Sequence, residues 1–128
     1  FLQITEPLRP AGILDKCINI LKKKKKINSA FAGFVFKKNF WTTKNSNFKM
    51  LSPPSESFIP RQKRKFIYRE DCGVSLASRK EVLMKKNKLY SEPVFIVPYN
   101  TYEGFLDIHL KKDILFGEQL LKFMSKRK

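Results

Sequence analysis

The fold turns on residues 30–36, AFAGFVF. Three phenylalanines and a valine suit a pleated, half-buried surface, and seven residues is strand length rather than helix length. As a strand this segment sends Phe34 and Phe36 to one side and Val35 to the other. Just before it lie five consecutive lysines, Lys22, Lys23, Lys24, Lys25 and Lys26. Before those, Ile13, Leu14, Cys17, Ile18 and Leu21 recur at helical spacing and predict an amphipathic helix over residues 11–24. Pro10 suits its first turn. The lysines at its end complement the negative end of the helix dipole. Residues 2–5, LQIT, read as a short opening strand closed by Pro7 and Pro10.

On the other side, FWTTK (40–44) predicts a continuation of the same strand past a bend at residues 37–39, and NFKML (47–51) a further strand. SPPSESFIP (52–60) is a Pro- and Ser-rich internal loop. RKFIYRE (64–70) resumes a strand. Ser78 and Glu81 match a capping box, which predicts a short helix ending near Asn87 or Lys88. PVFIV (93–97) reads as a buried strand. In FLDIHLK (105–111), Leu106, Ile108 and Leu110 alternate with Asp107, His109 and Lys111, which predicts a hairpin partner for PVFIV. Asp113 is placed to cap a last helix carrying Ile114, Leu115, Leu120, Leu121 and Met124. The order is β-α-β-β-β-α-β-β-α. It implies an α+β fold: an antiparallel sheet with helices packed on one face, basic loops and a C-terminal helix. At 128 residues a single domain is expected, with 52–60 as an internal loop.

Charge narrows the partner class. Lys and Arg number 27 against 11 acids, for a formal net charge of +16. Self-repulsion on that scale calls for a polyanion. Beyond the lysine block, one basic cluster comprises Arg61, Lys63, Arg64, Lys65 and Arg69. Another comprises Lys37, Lys38 and Lys44 with Phe40 and Trp41 among them. Lys85 and Lys86, and the last lysines of the chain, add to the cationic surface. Lysine suits phosphate contact better than base reading. Aromatics interleaved with cations suit stacking on unpaired bases, although Phe40 and Trp41 also fit a core. Clusters spread along the whole chain imply a partner that surrounds the protein, as a folded RNA does.

Other chemistries have little support. No run approaches the roughly 20 apolar residues of a membrane-spanning helix, and membrane contact is not expected to be the principal one. Cys17 and Cys72 form no CxxC pair, and His109 is the sole histidine, so no metal site is expected. They read as two buried thiols. No phosphate-cradling glycine motif or nucleophile elbow occurs. His109 with Asp107 could act as an acid–base pair, but polar residues on one side of a strand give the same pattern. No catalytic residue, cofactor or small-molecule substrate is expected.

The first seventy residues resemble the small-subunit ribosomal protein family S-ten. Leu14-Asp15 matches its helix start, and Gly33 the start of its extended loop. Phe48-Lys49-Met50-Leu51-Ser52-Pro53 is similar to its next strand, and Arg61 to Lys65 to its basic stretch. The family's proline-rich loop motif is missing after Gly33. Its His-Lys-Arg appears as Gln62-Lys63-Arg64, several residues early. The resemblance implies strand, helix, strand, long loop, strand, with the loop around Lys37 to Lys44 reaching into ribosomal RNA. Residues 71–128 stand outside it as a C-terminal extension. The expectation is a structural constituent of a ribosome, mitochondrial in the first instance, with cytoplasm or another organelle as further settings. Its partners would be ribosomal RNA and neighbouring ribosomal proteins. Two alternatives stand beside it: a matrix-facing accessory subunit of a membrane complex touching anionic lipid, and a small nucleic-acid-processing enzyme.

Overall fold

The computed structural model describes residues 1–51 and 58–126. Helix α1 (Ile13–Lys23) begins after Gly12, whose φ of 70° favours glycine, and follows Pro10 by a tight turn. Ile13, Cys17 and Leu21 are its buried stripe. They rest on strand β1 (Ser29–Phe36), where Ala30 and Ala32 are fully buried. Small residues there let the helix approach the sheet closely. Phe34, Val74, Val97 and Tyr99 complete this core. Each fully buried aliphatic side chain contributes about 1.5–3 kcal/mol.

β1 is the central strand of a three-stranded sheet in the order β4-β1-β5, with β4 spanning Ile67–Ser78 and β5 Val94–Tyr99. Burial on both sides explains why AFAGFVF is apolar nearly throughout rather than alternating. The α+β class and the C-terminal helix are as expected. The sheet, however, is mixed: β4 runs antiparallel to β1, and β5 parallel to it. Connection geometry is the reason. Ser78 at the end of β4 and Val94 at the start of β5 both pair with Ser29, so the chain re-enters the sheet at the end from which β1 departs. Between them lies α2 (Lys80–Lys86), ended by Asn87 in the left-handed region. The expected capping box does not form. Arg79 is the N-cap, and the Ser78 hydroxyl donates to the Leu89 carbonyl (2.6 Å) and lies 3.0 Å from Ser29 Oγ.

Four further expectations are corrected. Trp41–Lys44 (β2) does not prolong β1; it pairs with Asn47–Met50 (β3) in a separate hairpin whose turn holds Asn45 and Ser46 at positive φ. LQIT is not a regular strand. Residues 72–75 of β4 have no partner on β1, where the register slips between Phe31 and Ala32, and the N-terminal segment bonds there instead. Phe1 exchanges backbone bonds with Leu76, and the Gln3 N–H donates to Gly73. FLDIHLK forms no hairpin with β5. A 3₁₀ turn (Tyr102–Phe105) carries Phe105 onto Phe34 and Phe36, at 5.0 and 6.2 Å between ring centroids. The alternation reflects an extended link in which Leu106 turns inward and the Ile108 N–H donates to the Thr5 carbonyl. Helix α3 (Lys111–Ser125) then begins, with Asp113 inside its first turn rather than at the cap. The Asp113 carboxylate accepts the N–H groups of His109 (2.9 Å) and Leu110 (2.7 Å), which hold its pKa below the ordinary value. Of the Pro- and Ser-rich loop, residues 52–57 lie outside the described residues.

The α1 face carries Phe105, and through Leu106 the contact with Gly117 of α3. On the opposite face Phe31 packs against Tyr90, which follows α2, at 5.4 Å. Among the described residues nothing else packs across the rest of that face, where Tyr68 and Phe66 stay exposed.

Candidate nucleic-acid interface

The lysine block sits where the sequence puts it, at the end of α1. Lys22 and Lys23 form the last turn, Lys24 is the C-cap, and Lys25 and Lys26 follow; all five are exposed. Lys24 Nζ lies 5.3 Å from the centre of the Phe95 ring. What satisfies the helix end is not a lysine but Arg79. Its Nε donates to the Ile27 carbonyl (2.8 Å), and one terminal nitrogen donates to Leu21 (2.9 Å) and Lys24 (3.2 Å). The lysines are thereby left to face outward. Nothing local in Ser78-Arg79-Lys80-Glu81 signals this role, because the carbonyls belong to the end of α1 and the segment just after it, more than fifty positions earlier. Lys85 and Lys86 lie in the connection at the same end of the sheet, exposed, with Lys86 Nζ 3.3 Å from Ser91 Oγ.

A second basic pole forms at the other end of β1, about 25 Å away for an eight-residue strand. Here two clusters separate in sequence come together. Lys37 leaves β1, donates to the Gln62 carbonyl (3.0 Å) and lies 4.6 Å from the Phe66 ring centre. Gln62 belongs to a 3₁₀ turn, Arg61–Lys63. Lys37, Lys38 and Arg61 line a cleft of about 470 Å³ with Val35, Phe36 and Phe66. A second cavity of about 360 Å³ adjoins it, sharing Val35, Phe66 and Asn100 and adding Tyr68 and Pro98. Lys63 and Lys65 are exposed nearby. Arg64 is half-buried and ties its own loop by donating to the Ile59 carbonyl (2.9 Å). Trp41 stands 57% exposed on the β2–β3 hairpin, on the same side as Phe48 by register; Phe40, by contrast, packs on Phe36 at 5.5 Å. Lys44 occupies β2, and its side chain lies outside the described ones.

Arg69 does not join either pole. It pairs with Phe34 across the strands on the α1 face, bonds Asp71 Oδ1 (2.6 Å), and stacks on Phe105 at 4.0 Å. Burial works against its charge, but the bond to Asp71 outweighs this and its pKa is raised. Asp71 in turn accepts the Tyr99 hydroxyl (2.6 Å), which also lies 2.8 Å from the Gly104 carbonyl. Burial, then the bond to Asp71, raises the Tyr99 pKa.

Beside this network the Glu6 carboxyl is buried against Gly73, with Oε2 lacking a hydrogen-bond partner. Burial, then the charges of Asp107 and Asp71, push its pKa from the usual 4.5 to about 7. Asp107 is paired with His109 at 2.7 Å, the proximity the alternation suggested, although on an extended link. Among the described residues no group of three His, Cys, Asp or Glu side chains could hold a metal ion. Both thiols are free; Cys17 is buried but Cys72, expected to be buried too, is only half-buried, and burial is the main cause that raises the pKa of each. The interior thus absorbs carboxylates while the lysines stay outside.

No protein-family model matches the sequence, and no curated protein matches it either.

Proposed function

We propose that this chain is a structural RNA-binding protein of a ribonucleoprotein particle, a ribosome and most simply a mitochondrial one. One observation carries the reading. The chain exposes 9776 Å², whereas a monomeric protein of 15.1 kDa exposes about 7,100 Å². The excess, about 2,700 Å² on this one partner, is more than three times the roughly 800 Å² that a standard interface takes from each side. It comes with a formal charge of +16 and with cationic poles at opposite ends of the sheet. An RNA folded around the protein neutralises both poles at once; a planar lipid surface meets one side. No helix among the described residues is long and apolar enough to cross a membrane.

Neighbouring proteins have surface to use as well. On α3, Leu115, Phe116, Leu121 and Phe123 are all at least half exposed. The hairpin of β2 and β3 projects Trp41 and Phe48, and a two-stranded hairpin is marginal in water without such support. The S-ten resemblance belongs to this proposal, and it assigns the segment from Lys37 to Lys44, which includes β2, to the RNA. No catalytic role, cofactor or metal is part of it.

The test is RNA filter binding across a salt titration, with sedimentation of the native protein beside it. Contact with about six phosphates of irregular RNA gives a log–log salt slope of roughly −4. Co-sedimentation with ribosomal particles supports the reading. Capture by anionic liposomes without RNA capture reverses it in favour of the membrane-complex alternative. Metal-dependent turnover of RNA reverses it in favour of an enzyme.

A further inference from the structure

We infer that the open half of the sheet face opposite α1 is a stacking site for unpaired bases of single-stranded RNA. This rests on the RNA-binding reading and goes beyond it, because phosphate neutralisation alone requires no apolar platform. Register defines the surface. Val35 pairs with Tyr68 and Gly33 with Pro98, so these residues share the face that α1 does not cover. Phe66 lies two residues before Tyr68 on the same side, about 7 Å along the strand. Two successive bases of an extended strand can span that distance. Tyr68 is 40% exposed and Phe66 56%, which is unusual for rings beside a sheet centre.

Chemistry selects the occupant. The two adjoining cavities are each the size of a ligand site. Their rim is Lys37, Lys38 and Arg61, and among the described residues no acidic side chain lines either one. Glu70 shares the face, but it is held by the Tyr90 hydroxyl (2.8 Å) and lies outside both cavities. A basic rim around an aromatic floor fits an anionic backbone carrying exposed π-faces. Lys37 already lies against the Phe66 ring, so Tyr68 is the primary platform and the lysine is placed for the adjacent phosphate. The other half of the face is closed by Phe31 against Tyr90, which confines the site to one end of the sheet. That end is also where the hairpin departs.

The experiment uses the full chain and fluorescence anisotropy with labelled oligouridine and a short RNA duplex. Tyr68→Leu keeps apolar packing and removes the aromatic face. The expected result is about a tenfold loss of oligouridine affinity, with the salt slope and duplex affinity unchanged. Lys38→Gln, by contrast, flattens the slope. If wild-type protein binds RNA but Tyr68→Leu binds oligouridine equally well, the stacking site is wrong and the RNA-binding reading survives. If wild type binds neither RNA, both fail. Photo-crosslinking of iodouridine RNA to the wild-type chain gives an answer that needs no variant: adducts at Tyr68 or Phe66 support the site, and adducts confined to other segments overturn it.

Discussion

Glu6 is expected to make the stability of this protein fall as pH rises through neutrality. Its carboxyl is pressed against Gly73, close enough to Asp107 and Asp71 to feel their charge, with Arg69 and Arg9 offsetting part of it. The native pKa of about 7 exceeds the ordinary 4.5, so between those values the folded state holds a proton that the unfolded state has lost. Stability is therefore fully present below about pH 4.5 and is lost as pH rises through 7. At about 1.4 kcal/mol per pH unit, the interval corresponds to roughly 3 kcal/mol. Discounting for water that reaches the site leaves about 2 kcal/mol. Glu6→Gln removes the charge and supplies amide hydrogens for a neighbouring carboxylate. Urea denaturation, followed by circular dichroism from about pH 4.5 to 8, isolates the effect as the difference between wild type and variant. The variant is expected to match wild type at the acid end and to be about 2 kcal/mol more stable at the basic end. A difference that stays flat with pH, or one that favours wild type as pH rises, refutes the reasoning.

Other consequences follow from named contacts. Arg79→Met removes three donated bonds, two to the Leu21 and Lys24 carbonyls at the end of α1 and one to Ile27 just beyond it, and should destabilise the chain by about 2–4 kcal/mol in urea. Arg79→Lys should recover less than half of that loss, because an ammonium cannot reproduce the fork. In Gly33→Ala the new Cβ would stand 2.4 Å from Ile96 Cγ2 and 3.3 Å from the Arg69 carbonyl oxygen. Ile96 must turn away, and the melting transition should report a loss of about 1–2 kcal/mol. Replacing Lys22, Lys23, Lys25 and Lys26 together by Gln should leave stability within about 0.5 kcal/mol, since all four are exposed. The same variant should make the RNA salt slope shallower by roughly 3. A large loss of stability there would mean that the lysines, and not Arg79, hold the helix end.

Much of this architecture is legible locally. The apolar stripe of Ile13, Cys17 and Leu21 announces α1, and the composition and length of AFAGFVF announce a strand. Those signals report which side chains each element buries, and burial is written into composition and spacing. Of the cationic side chains, the lysine block behaves as its position at a helix end suggests. Arg69 does not, because charge alone carries no sign of the Asp71 and Phe105 waiting on the inner face.

What the amino-acid order determined by itself is the three helices, most of the strands though not all of their limits, the cationic excess and the lysine-tipped helix; LQIT and FLDIHLK did not become the strands expected of them. Tertiary structure alone decided that β5 runs with β1, that β2 and β3 stand apart as a hairpin, and that Arg79 closes α1. It also decided that Lys37 and Arg61 share one cleft beside Tyr68. The physical reason is range. Periodicity and capping act over a turn or two of chain, while strand direction, cross-chain caps and composite clefts depend on contacts between residues tens of positions apart, and those form only when the whole core closes.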